Sequence, residues 1–447
     1  MNLKKVLSKF LISIWQAKSG KAAAIQTLIS RILILAINVA TGVITARTLG
    51  PDGRGIQATI ILWPQFIAQM LTLGLPSALI YNFKRYPQEK SALFTAVLTL
   101  GTGLGCLATS IGIIFLPYWL SQYSPKVIII AQLFMLFAPA SLLTLIFMSA
   151  LEARSEFTIA NQLRYLSPLF TVVSLIILAL LGKLTPLTAG LSYLLPLVPM
   201  LVWSLIYLWQ KFQPCWQGLG KAYKRLLSYG LRSYGVDLIG VFSMYLGQAL
   251  VVGMLSSEIM GMYTVALSIS RMLNVIQSSI VVVLLPKTAA KPKDEVVDLT
   301  TKAARISIFL ASLGALGGII LGPILLKLLY GAEFLQATLV LRILLVDITV
   351  NSTTWIYAQA FMALGKPGIV TILQCVGLGL SWPLMLLLIP RYGMEGAGLA
   401  LLLSSIVRLI FILACYPFVL KVKLPGLLMH KEDFRFMLQA LPIDLKS

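Results

Sequence analysis

Residues 29–63 read ISRILILAINVATGVITARTLGPDGRGIQATIILW, two apolar runs parted by the polar turn Leu49-Gly50-Pro51-Asp52-Gly53-Arg54-Gly55. A helix of about 20 apolar residues spans a bilayer, and Gly and Pro supply the tight backbone between two such helices. Taken outward, the pair covers residues 22–81. Arg31 lies inside the first run, where a charge costs about 2.5–3.5 kcal/mol on insertion scales and therefore faces protein, water or a partner.

The same pattern recurs almost end to end. Of the 447 residues 58% are hydrophobic and 11% charged, with a mean hydropathy of +0.91, against about 45–50% and 25% for soluble domains. Twelve spans are expected at 22–46, 57–83, 91–118, 126–150, 157–181, 186–208, 229–255, 259–286, 301–328, 335–364, 368–389 and 396–420. The chain therefore reads as an all-α polytopic membrane protein, two pseudo-symmetric six-helix lobes (22–208 and 229–420) around a central cleft. A basic connector (209–228) joins the lobes, and a tail (421–447) follows. Residues 1–21 have a basic start and the short apolar patch 10–15, but Lys18 and Lys21 follow it without a small-residue cleavage site. They read as a helix lying on the membrane surface rather than a signal peptide.

The formal charge of +21 invites a nucleic-acid reading, but the basic residues sit in the short joins between spans. Of 36 Lys and Arg, 25 fall on one side of the membrane, six on the other and five within spans. The positive-inside rule places the 25, and both termini, in the cytoplasm; anionic headgroups and topology account for the charge, and no nucleic acid is implied. Trp209, Trp216, Lys221, Lys224 and Arg225 read as headgroup anchors in the connector. The four cysteines show no CxxC pair or metal spacing, and the one histidine, His430, lies in the tail, so no metal or cofactor is expected. There is no GxxxxGK[ST] loop, the joins are too short for a catalytic domain, and no His/Asp/Glu set converges. The chain does not read as an enzyme.

A shift of 206 residues lays Leu49, Asp52 and Gly55 on Leu255, Glu258 and Gly261. Ala189-Gly190-Leu191 and Ala397-Gly398-Leu399 match at 208, and FMSALEARSEFT resembles FMALGKPGIVT near 214. Six spans per copy give both copies the same orientation, hence parallel repeats about an axis along the membrane normal.

The chemistry falls to ionisable groups inside spans: Arg31, Arg164, Asp237, Arg271, Arg342, Asp347 and Arg408. Five arginines against two aspartates suit an anionic substrate, and Arg offers paired donors to phosphate. Arg271, about twelve residues into the eighth span, and Arg31 are the expected headgroup contacts, with Asn38 and Asn274 as polar lining. The 206-residue shift sets Asp237 opposite Arg31 as a gating ion pair that opens when phosphate competes for the arginine, and Gln248, also polar lining of the second repeat, is the other candidate for coupling or gating. Arg164 and Arg408 read as structural. Arg342 and Asp347 are five apart, too far round a helix to pair well. Arg47 and Arg54 read as turn residues, an outer gate being their alternative.

The residues Ser30-Arg31, Ala46 to Gly55, Gly74-Leu75-Pro76 and Gly261-Met262-Tyr263 with Ala266 and Arg271 resemble the oligosaccharide (O-antigen type) flippases of the multidrug/oligosaccharidyl-lipid/polysaccharide superfamily. The resemblance implies movement of undecaprenyl-diphosphate-linked oligosaccharide from the inner to the outer leaflet of a bacterial plasma membrane, beside glycosyltransferases and a polymerase of the same pathway. Related lipid II flippases line the cavity with arginines on the first, second and eighth spans. Arg31 and Arg271 match two such positions, Asn38 falls near another, and no arginine lies within the second span as delimited above. Many members carry an acid in the seventh span where Gln248 stands here. The alternative is a cation-coupled exporter of the same superfamily, which needs buried acids; only Asp237 and Asp347 are available.

Overall fold

The computed structural model describes residues 20–288, 291–430 and 433, with side chains from residue 33 onward except those of 157, 158, 282, 283 and 285–287. The expected surface helix at 1–21 lies almost wholly outside the described residues. The helices run α1 (Gly20–Met70), α2 (Leu75–Arg85), α3 (Lys90–Trp119), α4 (Pro125–Phe134), α5 (Ala138–Ala153), α6 (Phe157–Leu180), α7 (Pro186–Leu194) and α8 (Leu197–Phe212). The second half continues with α9 (Leu219–Met254), α10 (Ser257–Arg271), α11 (Asn274–Thr288), α12 (Lys293–Leu325), α13 (Thr338–Ala363) and α14 (Pro367–Cys415).

Nine stretches among the described residues are long and apolar enough to cross a membrane. Two of these double back at a glycine. In α1 the chain turns at Gly50 (φ 67°, ψ −178°), and in α14 at Gly393 (φ 57°, ψ −134°); a positive φ costs glycine nothing for want of a Cβ. With α13, which carries Arg342 and Asp347, the described residues make twelve passes. Large apolar side chains such as Leu180, Ile324, Leu328 and Phe418 stand exposed around the perimeter, a surface that only lipid or a partner covers. One end of the bundle gathers the Lys/Arg-rich joins and is called the basic face; the end bearing Gly50 and Gly393 is the far face.

The repeat is written into the joins. α5 ends with Ser155 in the left-handed region (φ 61°) and α13 with Gly365 (φ 69°), 210 positions on. At the first, Glu156 N–H donates to Leu151 O (2.9 Å) and Ser155 N–H to Glu152 O (2.9 Å); at the second, Lys366 donates to Phe361 O (2.8 Å) and Gly365 to Met362 O (3.2 Å). Both are Schellman caps, which satisfy the last free carbonyls of a helix. Glu156, at the first of these joins, is pushed up by partial burial but held below the usual carboxylate range overall by the Tyr207 hydroxyl and the Arg154 guanidinium.

The lobes meet where the repeat is most symmetric. A Cβ on Gly55 would stand 1.7 Å from Ser257 O, and one on Gly261 2.0 Å from Pro51 O. Pro51 and Ser257, like Gly55 and Gly261, are 206 residues apart, so each segment crosses its own copy and the pseudo-two-fold axis passes between the glycines. Asp52 accepts from Ser257 Oγ at the same crossing. Arg47 donates to the carbonyls of Leu328 and Leu329, joining the lobes at the far face rather than completing a turn. Gln122 does likewise with Val252 O (2.5 Å) and Leu255 O (3.0 Å).

The 209–228 connector is shorter than expected, because α8 runs to Phe212 and α9 starts at Leu219. The first turns of α9 dock on the first lobe: Tyr223 bonds Thr99 (2.8 Å), Arg225 pairs with Glu89 and lies 3.6 Å over the Tyr86 ring, and Tyr229 stacks on Tyr81 (4.2 Å). Trp209 and Trp216 are exposed, as headgroup anchors are. Residues 421–430 cross the basic ends of α12 and α13, where Tyr357 donates to Gly426 O (3.0 Å) and Arg305 pairs with Asp433 (2.8 Å).

Candidate functional site

Helix α10 stops in mid-span. Its last residue is Arg271, and Met272 and Leu273 tighten into i→i−3 bonds before α11 starts at Asn274. A broken helix inside a membrane protein exposes backbone groups to a cavity, and a cation at the C-terminal end of the first piece complements its dipole. Arg271 donates to Met244 O of α9 (3.4 Å) and lines a cavity of about 330 Å³.

Asn38 and Thr41 reach this cavity from the first half of α1, Arg54 from its second half, Ser268 from α10, Tyr193 from α7 and Tyr330 from the segment after α12. Both lobes thus contribute. Thr41 donates its hydroxyl to the Asn38 backbone carbonyl (2.9 Å), and both residues line the cavity. Arg54 is only 8% exposed. Its Nη1 donates to Gln57 Oε1 (2.5 Å), while its Nε and Gln57 Nε2 have no partner among the described residues. No lining residue is acidic. Two guanidiniums with no acid among the described lining residues form a site for an anion with several oxygens.

Arg54 corrects the expectation that the second span has no arginine. That span starts at the proline, not at residue 57: Pro51 takes the first helical position, where its missing N–H costs nothing, and Arg54 falls in the first helical turn. The helix-start signal of Pro51 was present in the sequence and locates this residue. The turn is structural at Gly50 and Gly55 and belongs to the cavity at Arg54.

The other expected residues separate. Asn274 heads α11 and lines no cavity described here. Gln248 is half-buried on α9, clear of both Arg271's cavity and the next. Arg31 is in α1 toward the basic face, and because its side chain is outside the described residues, its expected pair with Asp237 lies outside them too. Asp237 accepts from Ser77 Oγ (3.4 Å) and lines a second cavity, of about 600 Å³, toward the basic face. That cavity also holds Gln69, Thr72, Ser149, Glu152 and Arg164, with Arg164 paired to Glu152. Asp347 is served within its own lobe: Ser405 donates to its Oδ1 (2.6 Å) and accepts from Arg408 Nη2 (2.9 Å). Arg342 is exposed.

With this geometry in hand, comparison with known proteins is informative. The model of a polysaccharide biosynthesis protein family matches residues 44–339. No curated protein matches the sequence. Among solved structures, the lipid II flippase MurJ in an inward closed conformation is similar over 91% of this chain and 88% of its own, at 14% identity and TM-score 0.76. An inward-facing multidrug resistance MATE family transporter of the MOP superfamily is similar over 89% and 99%, at 14% identity and TM-score 0.68. An outward-facing one is similar over 90% and 96%, at 16% and 0.56. At these identities the likeness establishes the fold.

Proposed function

The chain belongs to the polysaccharide biosynthesis protein family, and from that premise we propose that it carries a lipid-linked oligosaccharide diphosphate across the bilayer by alternating access. The observation that carries this reading is the cavity lined by both lobes with no acid among its described lining residues, Arg54 coming from the first lobe and Arg271 from the second. A diphosphate and its sugars cannot cross hydrocarbon, whereas the lipid tail need not leave it. A polar cleft with fixed positive charge gives the head a path, and rocking of the lobes, which parts the crossing of Gly55 and Gly261 when the far face opens, exposes that path to each side in turn.

The basic face is cytoplasmic on the positive-inside rule, in a bacterial plasma membrane, so movement runs from inner to outer leaflet. Asn38 adds a neutral donor beside the arginines, and Arg31 is assigned from sequence to first capture on the cytoplasmic side. Glycosyltransferases that build the head and a polymerase that consumes it are the implied pathway neighbours. Cation-coupled drug export fits less well, because the interlobe cavity has no acid among its described lining residues and Asp347 accepts from Ser405, which leaves Asp237 as the one acid for such coupling. Arg54→Ala and Arg271→Ala are expected to abolish export of lipid-linked glycan in cells while the protein reaches the membrane in normal amount. Normal export in both variants would remove the assignment.

A further inference from the structure

The second cavity has a chemistry of its own. It lies toward the basic face between α2, α5 and α6 of the first lobe and α9, and at about 600 Å³ it falls within the range of about 300–1,000 Å³ typical of small-molecule sites. Its charges are two carboxylates, Asp237 and Glu152, against one arginine, Arg164, already paired with Glu152. Asp237 Oδ2 receives only the long bond from Ser77, and Oδ1 accepts none among the described residues. The Gln69 amide donates to Tyr245 OH (2.6 Å). A carboxylate that accepts only one long bond among the described residues, with hydroxyls and an amide around it, offers acceptors where the arginine cavity offers donors.

The two cavities adjoin through one contact. The Arg271 guanidinium lines the first and donates to Met244 O (3.4 Å), and Met244 lines the second. A group bonded directly to a phosphate held by Arg271 therefore meets the second cavity. We infer that this cavity binds the sugar attached to the diphosphate, with Asp237 accepting from its hydroxyl or amide N–H groups and the apolar side chains of Pro76 and Met244 facing its C–H surface. The inference rests on the diphosphate reading above and adds a selectivity to it. Among the described residues the site carries one carboxylate more than its arginine balances, which disfavours an acidic sugar next to the phosphate, since like charges in a partly desolvated site repel, and favours a neutral or N-acetylated one.

The test uses the full chain in lipid nanodiscs and three synthetic probes: farnesyl diphosphate, the same lipid carrying one N-acetylglucosamine, and the same carrying one glucuronic acid. Asp237→Ala is expected to weaken the N-acetylglucosamine probe about tenfold, the size of one lost charge-assisted hydrogen bond, and to leave farnesyl diphosphate within about twofold, below the effect of one such bond. Asp237→Asn, which keeps the volume, is expected to tighten the glucuronic acid probe. Equal effects of Asp237→Ala on the bare and the N-acetylglucosamine probes, or no effect on either, would overturn the sugar site. So would a sodium dependence of farnesyl diphosphate binding that Asp237→Asn abolishes, which would make this a cation site. The diphosphate reading fails separately, if the Arg54→Ala/Arg271→Ala double variant binds all three probes as the native chain does.

Discussion

Arg54, buried, and Arg271, half-buried, are both charges in membrane-spanning helices, yet only one was legible. Arg271 stands deep in an apolar run, so its cost marks it at once. Arg54 sits three residues after Pro51, where its surroundings GPDGRG look like loop. Only the helical start at the proline turns it into the cavity. Asp347 and Asp237 are likewise indistinguishable by sequence, and what separates them is a partner 58 residues away, Ser405. Glu156 gives a test at this scale. Its carboxyl is held below the ordinary value by Tyr207 and Arg154, against the upward push of burial. A group whose folded-state pKa is depressed adds stability that is present above its unfolded value, about 4.3, and lost as pH falls through the folded value. Melting of the detergent-solubilised protein should therefore show Glu156→Gln less stable than native at pH 7, with the gap closing as pH falls below 4.3. A gap constant with pH would contradict it.

Hydropathy located the elements well, because a span must hide its backbone polar groups over the whole thickness of the hydrocarbon. The breaks within spans were not visible, since Met272 and Leu273, or Leu195 and Pro196, are as apolar as their neighbours. Their position depends on what packs around them. The two crossing segments were found by the 206-residue shift, but the shift could not tell that they touch each other. Their contact is backbone on backbone, so any side chain at either glycine must separate the lobes. Gly55→Ala and Gly261→Ala are each expected to open the far face. In a background lacking the four native cysteines, Ser268→Cys in the cavity should react faster with a membrane-impermeant maleimide applied from that face, and glycan export should fall. Unchanged labelling and export would mean that the crossing does not hold the far face shut.

At the scale of the molecule, composition, the charge of the joins and the repeat foretold an all-helical two-lobed membrane protein, and the reciprocal crossing of Gly55 and Gly261 gives that symmetry its physical location. The asymmetry between the halves was not foretold. α9 spends its first turns on the first lobe, bound by Tyr223, Arg225 and Tyr229, and only then enters the second. The arginine cavity has walls from both lobes. The central claim is that this cavity carries a diphosphate head across the membrane. It is tested most directly in proteoliposomes holding a fluorescent prenyl-diphosphate-linked disaccharide, by the fraction of heads that an impermeant glycosidase can reach over time. Native protein is expected to bring inner-leaflet heads within reach of the enzyme, and the Arg54→Ala/Arg271→Ala double variant to leave them protected as in protein-free vesicles. Equal movement by native and double variant, or none by native protein while a cationic drug is carried, would contradict the account.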